Sequence, residues 1–278
     1  MPDKRPASWS DLASRIVSGV LMAVAALASA WLGGWVFFAF WLCAALAVLA
    51  EWLAMVTGAW RPSPVALAGA LAVLLSGALA FTGHAVWSLA AAFAGSGLIR
   101  LLTHGQSHAL FVACAALYAS AAVVPIVLLR GDPLAGTIAV FFLFAVVWGS
   151  DIMAYFTGRT LGGPKLWPAI SPKKTWSGFV GGTIFGALAA TGVAFVAGLP
   201  DLPFNFAVGL VLAVVSQGGD LLESALKRQF GVKDASHLIP GHGGVMDRLD
   251  GFIAASLVAV VFGLSRDFAL PAVGLLHW

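Results

Sequence analysis

Long apolar runs broken by short polar punctuation fill the chain from end to end. A helix needs about 20 mainly apolar residues to cross the hydrocarbon core of a bilayer. Runs of that length recur near residues 13–32, 34–57, 64–82, 84–102, 108–130, 133–158, 176–198, 203–226 and 251–273, which predicts nine spans. The Ala- and Gly-rich run from His84 to Leu102 is the least pronounced of them. Most connections are short: Gly33-Gly34, Thr57 to Pro64, Thr82-Gly83 and Gly198 to Pro203. Two are long, from Gly158 to Thr175 and from Gln229 to Asp250. They collect Gly, Pro, Lys, Asp and His, and neither has the period of an amphipathic helix or a strand. Long ordered loops are usually functional.

Composition turns this pattern into a fold class. Hydrophobic residues make up 60% of the 278 and charged residues only 10%, against about 45–50% and about 25% in soluble domains. Lipid must solvate most of that apolar surface, so the expected fold is an all-α, polytopic integral membrane protein. Cys43 and Cys114 both fall inside predicted spans, form no disulfide or metal framework, and are expected to be small buried hydrophobes. The basic lead Lys4, Arg5 and Arg15, followed by a run containing Ala28-Ser29-Ala30, has the outline of a signal peptide. The apolar run continues and further spans follow, so an uncleaved first helix is expected. Trp9, Trp31, Trp60 and Trp87 suit interfacial anchoring.

Charge sets the orientation. With nine spans and the N-terminus inside, thirteen of the fifteen Lys and Arg residues fall on the cytoplasmic side, where such residues collect. Only Arg130 and Arg266 lie opposite. The expected location is the cell (inner) membrane, with a cytoplasmic N-terminus, both long loops cytoplasmic and the C-terminus outside. Such a face attracts anionic lipid headgroups; no nucleic-acid partner is expected. No internal repeat or low-complexity linker divides the chain. One membrane domain, 1–278, is expected, with N-terminal transmembrane helices over 1–132 and the chemistry-bearing helices and loops over 133–278.

Ionisable groups inside spans are costly and usually functional. Glu51, Asp151, Asp220 and Glu223 all lie near predicted inner ends of spans. Helical spacing puts Ser216, Asp220, Glu223 and Lys227 on one face, and Trp148, Asp151 and Tyr155 on another. Magnesium is usually held by one or two carboxylates plus substrate phosphates. Asp220 and Asp247 could supply that pair, with Asp250 and Asp151 available to a second ion or to the outer shell. Lys173, Lys174, Lys227, Arg228 and Arg248 could neutralise phosphate oxygens. The run Gly241-His242-Gly243-Gly244 leaves backbone N–H groups open to an anion. Phosphoryl and nucleotidyl transfers need this kind of positioning and charge stabilisation.

Each residue also has a plainer role. Asp234 or Asp250 could simply pair with a lysine, and His242 could be a loop hydrogen-bonder. Glu51, a lone carboxylate, is expected to be structural or lipid-facing. His84, His104, His108 and His277 carry no assigned role.

The stretch Ser224-Ala-Leu-Lys227-Arg228, four residues, Lys233-Asp234, and then Ile239-Pro240-Gly-His242-Gly243-Gly244-Val-Met-Asp247-Arg248-Leu-Asp250 resembles the signature of phosphatidate cytidylyltransferases, or CDP-diacylglycerol synthases. Gly219-Asp220-Leu-Leu-Glu223-Ser224 resembles the family too. So do Asp151-Ile-Met-Ala-Tyr155 with Gly158-Arg159, and Ile170-Ser171-Pro172-Lys173-Lys174-Thr175; together these cover roughly 148–251. Ser177 stands where the family often has an acid, Leu222 where an aromatic is common, and Gly251 where Ser is frequent.

The resemblance implies that CTP and phosphatidic acid from the inner leaflet give CDP-diacylglycerol and pyrophosphate, with Mg2+ required and a homodimer as the assembly. By motif position, Asp220 and Asp247, joined by Asp250, would bind metal, and Ser224 and Lys227 would complete the catalytic set. Lys173, Lys174, Arg228, His242, Gly243, Gly244, Arg248 and Asp151 would bind substrate. Two other classes remain: an ion or solute transporter, and a nucleotidyltransferase acting on another lipid phosphate. A conduction path would place charges at mid-depth rather than at one face, and no Asp-Gly-x-x-Ala-Arg run of a CDP-alcohol phosphotransferase is present.

Overall fold

The computed structural model describes residues 9–276, with side chains from residue 16. Lys4, Arg5 and His277 lie outside the described residues, as do the side chains of Trp9 and Arg15. The chain forms α1 (Trp9–Leu32), α2 (Gly34–Thr57), α3 (Pro64–Phe81), α4 (Ala85–Leu102), α5 (Ala109–Leu129) and α6 (Ala135–Thr160). A small hairpin, β1 (Lys165–Trp167) and β2 (Ser171–Thr175), precedes α7 (Trp176–Val196), α8 (Leu202–Gln229), α9 (Met246–Arg266) and α10 (Pro271–Leu276). Among the described residues, eight helices, α2 to α9, are long and apolar enough to cross a membrane. The apolar stretch Ile16–Leu32 of α1 is a shorter candidate. The protein is all-α and polytopic.

Local chemistry explains several helix boundaries. Ser63 accepts a hydrogen bond from the Ala66 N–H at 3.1 Å, with Pro64 opening α3. Thr175 and Asp201 cap α7 and α8 in the same manner. The run expected over 251–273 resolves into two elements. Asp267 takes the N–H groups of Ala269 and Leu270, and Pro271 opens a separate short helix. α10 folds back so closely that a Cβ on Gly263 would lie 2.1 Å from the Pro271 carbonyl oxygen. The first long loop contains a hairpin that the sequence pattern does not predict, pairing Lys165 with Thr175 and Trp167 with Ser171.

Without a hydrophobic drive in lipid, helices associate through small residues that let backbones approach. Gly178, Gly182 and Gly186 form such a stripe on α7. A Cβ on each would come within 2.8, 2.7 and 2.8 Å of the carbonyl oxygens of Ala154, Ser150 and Val146 on α6. α5 is the most enclosed span, with 78% of its apolar window buried. Cys114 is partly buried, but Cys43 is exposed on α2, contrary to the expectation of a buried thiol. An apolar thiol needs no protein cover where lipid is the solvent.

The helices alternate in direction, which brings distant segments to one end. Ser18 near the start of α1 meets His242, Glu51 near the end of α2 meets the start of α9, and His108 before α5 packs edge-on against Phe230 after α8. At the other end, Arg130 donates to the Ala30 carbonyl and Asn205 to that of Leu276.

Candidate active site

α8 carries the centre of the charged cluster. Asp220, Glu223, Ser224 and Lys227 occupy one face of its last three turns. Lys227 lies between two carboxylates, 2.6 Å from Oδ1 of Asp247 and 3.1 Å from Oε2 of Glu223. Oε1 of Glu223 is buried and finds no donor, and the Asp250 carboxyl lies against the same side chain. Asp220 is half-exposed. It pairs with Lys174 at 2.6 Å and accepts from Ser224 Oγ at 3.3 Å. Asp151, on α6, feels the charges of Asp250, Asp220, Lys174 and Arg248. The cluster is therefore mixed in sign: the carboxyls of Asp220, Asp250 and Glu223 lie together, with Lys174 on one side and Lys227 and Asp247 on the other.

Asp247 belongs to the first turn of α9 rather than to a loop, and its neighbours Arg248 and Asp250 are also helical. Besides Lys227, its carboxylate accepts from the N–H groups of Ala235 at 2.9 Å and Gly244 at 2.8 Å. It thus ties α8, residues 230–245 and α9 together. The Gly-rich run is a tight turn: Ile239 N–H donates to Gly243 O and His242 N–H to Ile239 O. Gly241 and Gly243 adopt positive φ there, a backbone region that favours glycine. The N–H of His242 is thus engaged within the turn and that of Gly244 by Asp247 of α9, rather than held open for an anion.

His242 meets α1 through a 2.9 Å hydrogen bond between its Nδ1 and Ser18 Oγ, and the Ser18 hydroxyl donates to the Pro240 carbonyl. Its own carbonyl accepts from Arg248 Nε. Arg228 is exposed and donates to the Val232 carbonyl at 3.4 Å.

The hairpin divides two adjacent lysines. Successive side chains on a strand point to opposite faces. Lys174 reaches Asp220 while Lys173 is exposed, so Lys174 is the lysine of this pair that the structure brings into the cluster. Ser177 does not contribute an acid; its hydroxyl donates to the Gly162 carbonyl and steadies the connection into the hairpin.

Three residues went unnoticed or undervalued in the sequence. Gln217 ties α8 to α7, donating to Thr183 Oγ1 at 2.9 Å and to the Phe179 carbonyl at 3.2 Å. Ser216 faces Gly251 across the α8–α9 crossing, where a Cβ on Gly251 would lie 2.5 Å from Ser216 Oγ. Glu51 is structural, one of the two roles expected of it, and not lipid-facing. Its carboxylate is buried and takes hydrogen bonds from Ser236 Oγ at 2.6 Å and the N–H groups of Val245 and Met246 at 2.9 and 2.7 Å. Its spacing along the sequence carries no hint of those partners.

Among the described residues, no three His, Cys, Asp or Glu side chains converge as a ready-made metal cage. The arrangement instead offers carboxyl and ammonium groups side by side at one end of the bundle, suited to a polyanion that brings counter-cations with it.

Comparison with known proteins agrees with this chemistry. A model described as the cytidylyltransferase family matches residues 13–265. The chain is 41% identical to a phosphatidate cytidylyltransferase of Brucella melitensis biotype 1 over 276 residues, which covers 95% of this chain and 97% of that protein. The protein of the same name in Brucella suis biovar 1 gives the same identity and coverage. That of Bacillus subtilis is 42% identical over 145 residues, covering 51% of this chain and 54% of the relative. The chain belongs to the cytidylyltransferase family, with phosphatidate cytidylyltransferases as near full-length relatives.

Proposed function

We propose that this protein transfers the cytidylyl group of CTP to phosphatidic acid, giving CDP-diacylglycerol and pyrophosphate. The observation that carries this reading is the mixed-charge cluster of Lys174, Asp220, Glu223, Lys227 and Asp247 at one end of an apolar bundle, in a chain that belongs to this family. A lipid phosphate reaches such a cluster by moving laterally, without leaving its leaflet. The positive-inside pattern supports the cytoplasmic side of the cell membrane, with the N-terminus on that side and the C-terminus opposite. A homodimer is the proposed assembly.

The chemistry follows from charge. A phosphate oxygen of phosphatidic acid attacks the α-phosphorus of CTP; the new P–O bond forms as the bond to the departing pyrophosphate breaks. A phosphate monoester has its second pKa near about 6, so the attacking oxygen is already anionic and needs no strong general base. The barrier is the approach of two polyanions. Lys174 and Lys227 are placed to lower it by exchanging their carboxylate partners for phosphate oxygens, and Arg248 adds positive charge beside them.

The hard carboxylate oxygens of Asp220 and Asp250 fit Mg2+ by the chemistry of the donor set, since that ion is usually held by one or two carboxylates together with substrate phosphates. Asp220 and Asp250 would hold it, and Asp247 would join them only on giving up Lys227. When bound, the ion would neutralise phosphate charge and ease departure of pyrophosphate.

The test is an assay of purified protein with labelled CTP and phosphatidic acid, with and without magnesium. Labelled CDP-diacylglycerol and released pyrophosphate are expected. Transfer to an isoprenoid phosphate alone would move the substrate to another lipid class. Solute flux into liposomes without CTP, and no lipid labelling, would favour a transporter.

A further inference from the structure

The N-terminus of α9 presents a problem that its own sequence does not solve. The first N–H groups of a helix have no partner within it and usually take one from a side chain just before the helix. Here the preceding residues are Gly243, Gly244 and Val245, none with a side-chain acceptor, and no local cap is made. The acceptor comes from α2, 194 residues earlier: Glu51 takes the N–H of Val245 on one carboxylate oxygen and that of Met246 on the other. The oxygen that holds Val245 also accepts from Ser236 Oγ at 2.6 Å. A negative charge at this end of a helix is further favoured by the helix dipole. Gly244 makes the approach possible, since a Cβ there would lie 2.7 Å from Glu51 Oε1.

The helix turn thus fixed is the one that carries Asp247, and Asp247 is the residue that engages Lys227. The segment fixed at Ser236 is the one that supplies the Ala235 N–H to the same carboxylate. One buried side chain on the second helix therefore sets both sides of the Asp247 environment.

We propose that Glu51 is a positioning residue for the reaction, acting through Asp247 and Lys227 and not by touching substrate. The proposal rests on the cytidylyl-transfer reading above. It gives the N-terminal helices a part in the chemistry that no motif in that half of the chain announces.

The test uses the full chain in detergent or vesicles, comparing wild type with Glu51→Gln and Ser236→Ala. A carboxamide at position 51 keeps the size of the side chain, but only one of its two ends can accept, so a donor meets a donor at Met246 or at Val245. Misplacing reacting groups by about 1 Å can cost on the order of 100-fold in rate. The expected result for Glu51→Gln is a fall in kcat of about tenfold or more, with KM for phosphatidic acid within about twofold of wild type. Ser236→Ala, which removes one of three donors, should lose less, and its loss should not add to that of Glu51→Gln. Amide hydrogen exchange should accelerate over residues 235–247 in both variants and stay unchanged in α5.

Three results would overturn the role of Glu51: a Glu51→Gln enzyme that matches wild type in kcat, losses that add in the double variant, or exchange that rises equally in every helix. A wild-type protein that transfers nothing from CTP sinks the functional reading itself, while an active wild type with an equally active Glu51→Gln sinks only this proposal.

Discussion

Lys227 Nζ lies 2.6 Å from Oδ1 of Asp247, a contact that joins the last turn of α8 to the first turn of α9 between positions 20 apart in the sequence. Both side chains are largely shielded, at 12% and 4% exposure, and Glu223 on the other side of Lys227 is at 0%. Removing one partner of such a pair leaves charge buried without compensation, which costs about 3–5 kcal/mol. Lys227→Ala should therefore lower the melting temperature of the purified protein and abolish transfer. Lys227→Arg should recover more of the thermal stability than of the rate, because a planar fork cannot occupy both contacts as a compact ammonium does. A Lys227→Ala protein with wild-type melting would show that the pair holds nothing together.

Asp247→Asn separates charge from shape. The carboxamide oxygen can still accept from the Ala235 and Gly244 N–H groups, while its NH2 meets the Lys227 ammonium, donor against donor. The protein should stay folded and in the membrane, yet lose turnover. Near-normal transfer at saturating magnesium would remove Asp247 from the reaction altogether.

Adjacent lysines on β2 should behave differently. Lys174 pairs with Asp220, whereas Lys173 is exposed on the other face. A hydrogen bond to a charged group is worth about 1.5–3 kcal/mol, so Lys174→Ala should reduce kcat/KM by on the order of tenfold or more. Lys173→Ala should stay within about twofold. Equal losses from the two variants would mean that the hairpin changes its face when substrate binds.

Chelation addresses the proposed ion. The charged cluster is held by Lys227, Lys174 and backbone N–H groups, so stripping divalent cations with EDTA should stop transfer without lowering helical content. Added Mg2+ should restore the rate in wild type, and Asp220→Asn should need a higher Mg2+ concentration for the same recovery. Full activity after exhaustive chelation would exclude the ion from the reaction.

These sites were unevenly legible in the sequence. Spans were visible because each is a run of apolar residues whose length matches the bilayer, and the i, i+4, i+7, i+11 face of Ser216, Asp220, Glu223 and Lys227 follows from helical geometry alone. The start of α9 was not visible, since Val245 and Gly244 carry no capping oxygen and the cap is donated by α2. Nor was the hairpin, where Ser171-Pro-Lys-Lys-Thr175 lacks the apolar alternation that marks a strand with a buried face. Asp247 could be singled out as important from its motif. That its oxygens are spent on Lys227 and two N–H groups depends on how three segments meet, which no local pattern encodes.

The α8–α9 crossing gives a final prediction, at Gly251. Gly251 packs against Ser216, and a Cβ added to it would stand 2.5 Å from Ser216 Oγ and 2.9 Å from the Ser216 carbonyl oxygen. The first contact is with a movable hydroxyl and the second with fixed backbone. Gly251→Ser should therefore push α9 away from α8 one residue beyond Asp250, at a cost of about 1–3 kcal/mol for overpacking. A lower melting temperature and a reduced kcat would report it. Adding Ser216→Ala removes the hydroxyl, which is buried and has no partner, but not the carbonyl, so the double variant should recover part of the loss and not all of it. Full recovery would place the whole conflict in the side chain, and an unperturbed Gly251→Ser would mean that the two helices can separate freely beneath the charged cluster.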